Sequence, residues 1–187
     1  MEEGSQRAAG SGAYRMPAEW SSHQATWISW PHNADTWPGH LPGVERTMAE
    51  AVGALASSEL VRVNVRDAAH GYHVQKLLAG RVPPERVVLH QFPTNDAWCR
   101  DHGAIFVTRD AADGAPLLAL DFEYNAWGGK YPPYDLDNAI PGRMAGALGI
   151  PVQHIPMVLE GGSIEVNGKG VLLTTEQCLL NENRNPA

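Results

Sequence analysis

The chain has 187 residues and contains 14 Lys and Arg against 21 Asp and Glu, which gives a formal net charge of -7 at pH 7. This acidity argues against a nucleic-acid backbone or an anionic membrane surface as a partner. The sequence has no run of 18 apolar residues that could span a membrane, and its two cysteines lack the CxxC or Cys/His spacing of a structural zinc site.

The first 15 residues differ in composition from the rest of the chain. They are polar and rich in Gly, Ser and Ala, and Glu2 and Glu3 stand where a signal peptide carries positive charge. We therefore expect residues 1–15 to be a disordered leader on a cytoplasmic protein, followed by one domain over residues 16–187.

Residues 25–90 alternate between strand-like and helix-like patterns. Apolar residues recur at spacings of four, four and three from Val44 to Leu55, which predicts an amphipathic helix. Leu60 to Val65 alternates apolar and polar residues and predicts a strand. In chain order the predicted elements are a strand at 25–30, a helix at 44–55, a strand at 60–65, a helix at 72–78 and a strand at 87–90.

The second half of the chain contains two hairpin patterns. Each is a pair of strand-like runs around a turn pair, which is Asp113-Gly114 in the first hairpin and Asn167-Gly168 in the second. Gly149 is the predicted stop of a helix, and Thr175 is the predicted cap of a helix that starts at Glu176. In chain order the predicted elements are strands at 104–108 and 117–122, a loop at 125–134, a helix at 137–148, and strands at 152–155, 163–166 and 171–174.

The two hairpins begin with a shared sequence pattern. Residues 101–107 (DHGAIFV) and 160–166 (EGGSIEV) both have an acid, any residue, Gly, a small residue, Ile, any residue and Val, 59 positions apart. Repeats at this spacing indicate radial or stacked units that bury their faces against neighbouring copies. The pattern puts Asp101 and Glu160 at equivalent positions, so we expect their carboxylates to converge.

The residues that lead into the first hairpin could bind a guanidinium. In an extended backbone, the side chains of Asp96, Trp98 and Arg100 point to one side. Those of Cys99 and Asp101 then point to the other. A carboxylate accepts two parallel N–H bonds from the planar cation, and an indole face covers it. The alternative is an Asp-Arg ion pair inside a loop; the repeated acid favours the binding site.

The cysteines and histidines are predicted to be structural. Cys99 lies between Asp96 and Asp101, whose negative charges raise a thiol pKa and reduce the reactive thiolate. Cys178 is interpreted as a small apolar residue of the C-terminal helix. The eight histidines show neither a His-x-Asp pattern nor the i, i+4 spacing of metal ligands, and there is no glycine-rich phosphate loop. We therefore expect no metal and no cofactor.

Four of the six tryptophans crowd into the N-terminal region, and the last sixty residues contain none. Clustered tryptophans build a core in most proteins, but they also form lids over small-molecule pockets. The sequence leaves both interpretations open for Trp20, Trp27, Trp30 and Trp37.

Seven motifs follow one another from Met16 to the end of the chain. They are MPAEW (16–20), TWISWPHN (26–33), TWP (36–38), NDAWCRD (95–101), NAWGGKY (125–131), LEGGSI (159–164) and LLTTEQCLLN (172–181) with NRNP (183–186). In this order they resemble the agmatine deiminase family, a branch of the guanidine-modifying enzymes that also holds the Porphyromonas-type peptidylarginine deiminases.

The resemblance implies a fold and a reaction. The fold is a five-bladed α/β propeller, the pentein fold, built from ββαβ units, of which this chain has about two and a half. The implied enzyme is a cytoplasmic, metal-free hydrolase of C–N bonds in linear amidines. A cysteine attacks the guanidinium carbon, ammonia leaves, and water hydrolyses the amidino-thioester. With agmatine the product is N-carbamoylputrescine, on the route to putrescine and other polyamines.

The resemblance also implies the site residues. Asp101 of the Trp-x-Arg-Asp motif and Glu160 of the Glu-Gly-Gly motif hold the guanidinium nitrogens, Trp98 lines the pocket, and Asp96 is a further substrate-binding candidate. The family's catalytic His and nucleophilic Cys come after Glu-Gly-Gly, and this sequence has neither. We therefore expect residues 16–187 to be an N-terminal part of the catalytic domain, inactive alone and prone to self-association through unpaired faces.

Two other functions stay open. Peptidylarginine and free arginine carry the same guanidinium as agmatine, so they would bind the same carboxylates. A non-catalytic guanidine-binding or assembly module would use Asp101 and Glu160 without any nucleophile.

Overall fold

The protein is described by a computed structural model over residues 13–109 and 117–186. Its strands and helices, in chain order, are β1 (Ala25–Ser29), α1 (Leu41–Ala56), β2 (Leu60–Val65), α2 (Ala68–Leu78), β3 (Val87–Gln91), α3 (Cys99–His102), β4 (Ile105–Thr108), β5 (Leu117–Glu123), α4 (Ala126–Gly129), α5 (Asp135–Asn138), α6 (Ile140–Leu148), β6 (Val152–Val158), β7 (Glu165–Val166), β8 (Leu172–Leu173) and α7 (Glu176–Leu179). Two short 3-10 turns lie at Pro84–Arg86 and Gly161–Ser163.

The first sheet is parallel, with strand order β1-β2-β3. Parallel neighbours require crossover connections, which α1 and α2 supply. The apolar faces of these helices pack on the central strand, where Val61, Val63 and Val65 are buried. Trp30, just after β1, is fully buried in the same core. The alternation of strands and helices predicted over residues 25–90 is therefore confirmed.

Helix α2 begins four residues earlier than the sequence pattern predicts. The side chain of Asp67 accepts a hydrogen bond from the backbone N–H of His70 at 2.8 Å, which caps the helix N-terminus. A capping Asp satisfies one of the free N–H groups of the first turn, so the helix can start at Ala68. The apolar periodicity alone marks only the later, buried turns.

The second sheet has strand order β4-β5-β6 and makes one complete ββαβ unit with α6. Strands β4 and β5 are antiparallel, and β5 and β6 are parallel. Helix α6 ends at Gly149, which has φ +63, as the sequence predicts. The helix predicted over 137–148 is split, since α5 ends at Asn138 and α6 starts at Ile140. The predicted turn Asp113-Gly114 lies outside the described residues.

The last hairpin pairs β7 with β8, and both strands are shorter than predicted. Thr175 caps α7 as predicted, because its side chain accepts a hydrogen bond from the N–H of Cys178 at 3.2 Å. Of the predicted leader, residues 1–12 lie outside the described residues. At the end of this stretch, Arg15 makes two backbone hydrogen bonds of 2.8 Å with Thr108.

Across the two described stretches, no helix combines the length and apolar character needed to cross a bilayer.

Candidate functional site

The segment that carries Asp101 is a helical turn, so the extended backbone predicted for it is wrong. The N–H groups of Asp101 and His102 both donate to the carbonyl of Trp98, at 2.9 and 3.1 Å. The N–H of Gly103 closes the turn on the carbonyl of Cys99 at 2.9 Å. A Cβ at Gly103 would lie 2.6 Å from that carbonyl oxygen, so glycine is what allows the turn to close tightly. The predicted alternation of side chains therefore ends at Cys99.

Asp101 is in direct contact with the loop of Glu160. Asp101 lies in α3, and Glu160 immediately precedes the 3-10 turn that leads towards β7. The N–H of Gly162 donates to Oδ1 of Asp101 at 3.2 Å. A Cβ on Gly162 would collide with this carboxylate, and one on Gly161 would collide with the Arg100 carbonyl. The paired glycines of the Glu-Gly-Gly motif thus permit the close approach of the two loops.

Burial and the charge of Glu160 act on the pKa of Asp101 in the same direction. Burial raises the pKa of its carboxyl group, and the negative charge of Glu160 raises it further. The Gly162 N–H, the Arg100 guanidinium and a hydrogen bond from the Trp127 side chain lower the pKa in turn. Two acids share one small volume, which is an arrangement that a bound cation would stabilise.

Glu160 is buried, with 2% of its surface exposed, and its charge is balanced by an arginine. The Nε of Arg184 donates to Oε1 of Glu160 at 2.6 Å, and both side chains are almost inaccessible to solvent. Removal of either partner of such a buried ion pair would leave an uncompensated charge in the interior. This contact fixes the position of Oε1 of Glu160.

Aromatic rings line the same region. The ring of Trp98 lies 5.9 Å from that of Trp37 and 5.8 Å from that of Trp127. Trp127 also makes edge contacts with Tyr124 and Tyr131, both at 5.7 Å. Trp98 is 36% exposed, so part of this wall faces solvent. Such rings offer π-faces to a cation held by the carboxylates.

The N-terminal tryptophans divide between the two interpretations that the sequence leaves open. Trp30 belongs to the core, whereas Trp37 joins the aromatic wall beside Trp98. Trp27 lies on the first sheet under the guanidinium of Arg62, 5.4 Å from the ring centre. Trp20 is 79% exposed.

Asp96 fastens the loop before α3 to the N-terminal region. Its Oδ2 accepts a hydrogen bond from the hydroxyl of Thr36, next to Trp37. Its Oδ1 accepts the N–H of Ala97 at 2.7 Å. Both oxygens thus hold local structure, and through Thr36 the carboxylate orders the segment that carries Trp37.

Cys99 does not have the environment of an activated nucleophile. Burial raises the pKa of the Cys99 thiol to about 12, and the charge of Asp137 adds to the effect. A raised pKa for Cys99 is what the sequence predicts, but the prediction rests on the neighbouring acids, whereas burial is the main cause in the structure. Cys178 lies on α7, and both cysteines are free and partly exposed. Within residues 13–109 and 117–186, no group of three or more His, Cys, Asp or Glu side chains could hold a metal ion.

Three residues of the site escape prediction from the sequence. Arg184 and Trp127 lie in motifs that carry the family resemblance, but only the folded chain brings Arg184 to Glu160 and Trp127 to Asp101. Asp137, which accepts hydrogen bonds from the loop before α3, stands in no motif. No local pattern signals a contact that spans 24 to 42 residues.

A sequence profile described as Porphyromonas-type peptidyl-arginine deiminase matches residues 15–187. A curated relative from Marinomonas sp. (strain MWYL1), named "Putative agmatine deiminase", is 37% identical over 177 residues. The alignment covers 92% of this chain and 46% of the relative. The chain therefore spans about half the length of the curated relatives that it matches.

Solved structures resemble the same fold. An agmatine deiminase of Enterococcus faecalis superposes with a TM-score of 0.82 and 32% identity, covering 97% of this chain and 50% of that one. A C. jejuni agmatine deiminase with substrate bound superposes with a TM-score of 0.80 and 31% identity, covering 98% of this chain and 51% of that one.

Proposed function

This chain belongs to the Porphyromonas-type peptidyl-arginine deiminase family, and we propose that it is the guanidinium-binding part of an agmatine deiminase-like hydrolase. The proposal rests on one observation above all: the contact between Asp101 and the Glu160 loop inside an aromatic wall. The proposed reaction converts agmatine and water to N-carbamoylputrescine and ammonia, a step towards putrescine.

The carboxylates have a simple task in this reaction. A guanidinium carries one positive charge spread over a plane of N–H donors, and each carboxylate can accept N–H groups along one edge of that plane. Asp101 and Glu160 would fix the orientation of the plane, while Trp98 covers part of it. The guanidinium carbon then faces a nucleophile in a defined direction, which is how positioning lowers a reaction barrier.

The chemical step needs a nucleophile. In the proposed mechanism a cysteine thiolate bonds to the guanidinium carbon. A terminal nitrogen then takes up a proton, its C–N bond breaks, and it leaves as ammonia. Water then hydrolyses the amidino-thioester and restores the thiol. A thiol pKa of about 12 argues against Cys99 in this role. We therefore propose that the 187-residue chain binds the substrate but does not turn it over.

Agmatine suits the site better than arginine does. Arginine carries a carboxylate that needs a cationic partner, whereas agmatine has none. The two arginines on the segments beside the acids are both engaged: Arg184 with Glu160, and Arg100 with Glu19 and Glu165. The family description nevertheless refers to peptidyl-arginine, so an arginine peptide is the second candidate ligand.

The proposal also covers the fold of the whole domain and its location in the cell. We propose that the first sheet and the ββαβ unit of the second sheet are two blades of a five-bladed propeller in a cytoplasmic, cofactor-free enzyme. The similarity to two agmatine deiminase structures at TM-scores of 0.80 or above supports this arrangement.

Calorimetric titration of the purified chain tests the proposal. Agmatine, arginine and a peptide ending in arginine are titrated into the wild type, Asp101→Asn, Glu160→Gln and the control Glu50→Gln, whose carboxylate is exposed on α1. We expect agmatine to bind and each site variant to weaken binding roughly 10- to 100-fold, since a charged hydrogen bond is worth about 1.5–3 kcal/mol.

The outcomes separate the candidate functions. Tighter binding of the arginine peptide would favour a peptidylarginine substrate. Agmatine binding without ammonia release agrees with the proposal for this chain. Ammonia release that Cys99→Ala abolishes would overturn the assignment of Cys99, and no guanidinium binding at all would overturn the function.

A further inference from the structure

The segment between β5 and α5 contains an unusual backbone. Ala126, Trp127, Gly128 and Gly129 have φ values of +50, +58, +86 and +73, so four consecutive residues are left-handed. Residues with a Cβ disfavour this region, and two of these four have one. Such strain persists only where the surroundings enforce it, and it concentrates at functional sites.

Hydrogen bonds enforce the left-handed turn from one side. The side chain of Asn125 accepts the N–H of Gly128 at 2.8 Å and donates to the carbonyl of Asn183 at 2.9 Å. The carbonyl of Asn125 accepts the N–H of Gly129 at 2.7 Å. Asn125 therefore ties the turn to the C-terminal segment that contains Arg184.

The turn reaches Asp101 through its tryptophan. The Trp127 ring packs edge-on against Trp98, whose carbonyl accepts the N–H of Asp101 at 2.9 Å. The Trp127 side chain also favours the ionised form of the Asp101 carboxyl, because it lowers the pKa of that group. The Trp127 ring is also held by edge contacts with Trp98 and Tyr124 at 5.8 and 5.7 Å.

The same turn reaches Glu160 through its glycine. A Cβ on Gly128 would collide with the side chains of Asn183 and Arg184. The absence of a side chain lets Arg184 lie against the turn while its Nε donates to Glu160 at 2.6 Å. Gly128 is therefore required both for its φ of +86 and for the space that Arg184 occupies.

We propose that the left-handed turn 126–129 is the positioning element of the guanidinium site, in which Trp127 orients Asp101 and Gly128 lets Arg184 orient Glu160. This inference rests on the proposed function and names residues that act through the two carboxylates. Neither Trp127 nor Gly128 needs to touch the guanidinium itself.

Two variants and two matched controls test the inference. Trp127→Phe keeps an aromatic ring and removes the N–H donor, and its control is Trp20→Phe, which alters an exposed ring. Gly128→Ala adds a Cβ where it collides, and its control is Gly80→Ala, which has φ +73 and open space around it. The control therefore carries the same kind of backbone strain without the collision.

Two measurements are made on each variant. Calorimetry gives the agmatine affinity, which we expect to fall about 10-fold in Trp127→Phe and in Gly128→Ala and to stay within about 2-fold in both controls. Carbon-13 NMR measures the chemical shift of the Asp101 carboxyl carbon as a function of pH. The charges of Glu160 and Arg100, which also act on this carboxyl group, are unchanged in all four variants. We expect the Asp101 titration to move to higher pH in Trp127→Phe only, because that variant loses a donor to the ionised form.

The NMR titration separates this inference from the proposed function. If the wild type fails to bind agmatine, the function is wrong, but a shifted Asp101 titration still supports the role of Trp127. An unchanged Asp101 titration in Trp127→Phe, or equal affinities for Gly128→Ala and Gly80→Ala, would overturn the inference. Trp127→Phe preserves the backbone, so it remains a test if Gly128→Ala does not fold.

Discussion

Asn95 and Asp137 hold each other by reciprocal hydrogen bonds. The N–H of Asn95 donates to Oδ1 of Asp137 at 2.8 Å, and the N–H of Asp137 donates to Oδ1 of Asn95 at 3.1 Å. The N–H of Asp96 also donates to Oδ1 of Asp137, at 3.3 Å. The loop that precedes α3 and Asp101 is therefore fastened to α5, more than 40 residues later. Asp137 acts on the site through this loop.

Asp137 should make stability fall as pH rises from about 4 to 7. Burial raises its pKa from 3.8 to about 7, so the folded chain keeps a proton that the unfolded chain has lost. The stabilising contribution is complete below about pH 4 and disappears as pH rises through 7. Asp137→Asn retains the acceptor oxygen and removes the titration. Urea unfolding should show the variant gaining stability relative to wild type over this range, by up to about 4 kcal/mol.

The control for this measurement is Glu50→Gln, which neutralises an exposed carboxylate on α1 that is not among the groups acting on Asp137. This variant should keep the wild-type fall in stability that the Asp137 carboxyl causes between pH 4 and 7. An equally unchanged fall in Asp137→Asn would contradict the assignment of the slope to Asp137.

His102 should contribute a slope of the opposite sign. Burial lowers its pKa from 6.5 to about 4, so the unfolded chain takes up a proton in this range and the folded chain does not. Its contribution is present above pH 6.5 and is lost as pH falls to about 4. His102→Asn should therefore lose less stability than the wild type does when the pH falls from 7 to 4.5. Urea unfolding at pH 4.5 and 7 checks this, and a larger acid sensitivity in the variant would refute it.

The regular elements can be predicted because their signals are local. The alternation in β2 and the glycine that stops α6 each depend on residues within one or two turns, and the structure agrees with both. The repeat that contains Asp101 and Glu160 can also be recognised in the sequence, because its two copies share the same spacing of small and apolar residues.

The rest of the site depends on contacts between distant residues. The turn of α3 forms because Gly103 permits closure on Cys99, which a pattern of alternating side chains does not reveal. Burial of the Cys99 thiol comes from the packing of several elements, so a sequence shows only the neighbouring charges. The Arg184–Glu160 contact exists only once the C-terminal segment is folded back on the Glu-Gly-Gly loop.

Removal of Arg184 should destabilise the chain more than removal of the pair. Arg184→Met leaves the Glu160 carboxylate buried without its partner, and breaking a buried ion pair costs about 3–5 kcal/mol. Arg184→Met with Glu160→Gln removes both charges and should recover part of that loss. Denaturant unfolding measures both. A single variant that loses less than about 1 kcal/mol would show that Arg184 does not support Glu160.

Cys99 should react far more slowly with thiol reagents than Cys178 does. At pH 8 a pKa of about 12 leaves only about one thiol in 10,000 as thiolate, and the thiolate is the reacting form. Labelling with a disulfide reagent is followed in Cys99→Ser and Cys178→Ser separately. We expect rapid labelling in Cys99→Ser, which retains Cys178, and slow labelling in Cys178→Ser. Both cysteines are partly exposed, so the contrast reports the suppressed ionisation of the Cys99 thiol. Equal rates would show that the Cys99 thiol ionises as readily as that of Cys178, against the raised pKa.

The last hairpin and α7 expose an apolar surface that should promote self-association. Val171, Leu172, Leu173 and Leu180 are 53, 52, 67 and 66% exposed and lie within ten residues of one another in the chain. Exposed apolar strands favour pairing with other molecules, and a lysine on such a strand opposes it. Leu173→Lys should therefore shift sedimentation towards the monomer.

The control is Tyr72→Lys, which places the same charge at an exposed aromatic residue on α2, away from the hairpin. Sedimentation velocity over a tenfold concentration range compares the two variants with the wild type. We expect Leu173→Lys to remain monomeric at concentrations where the wild type and Tyr72→Lys associate, because the added charge must be desolvated in any contact through the hairpin. If Tyr72→Lys disperses the protein equally well, the association depends on net charge and not on the hairpin surface.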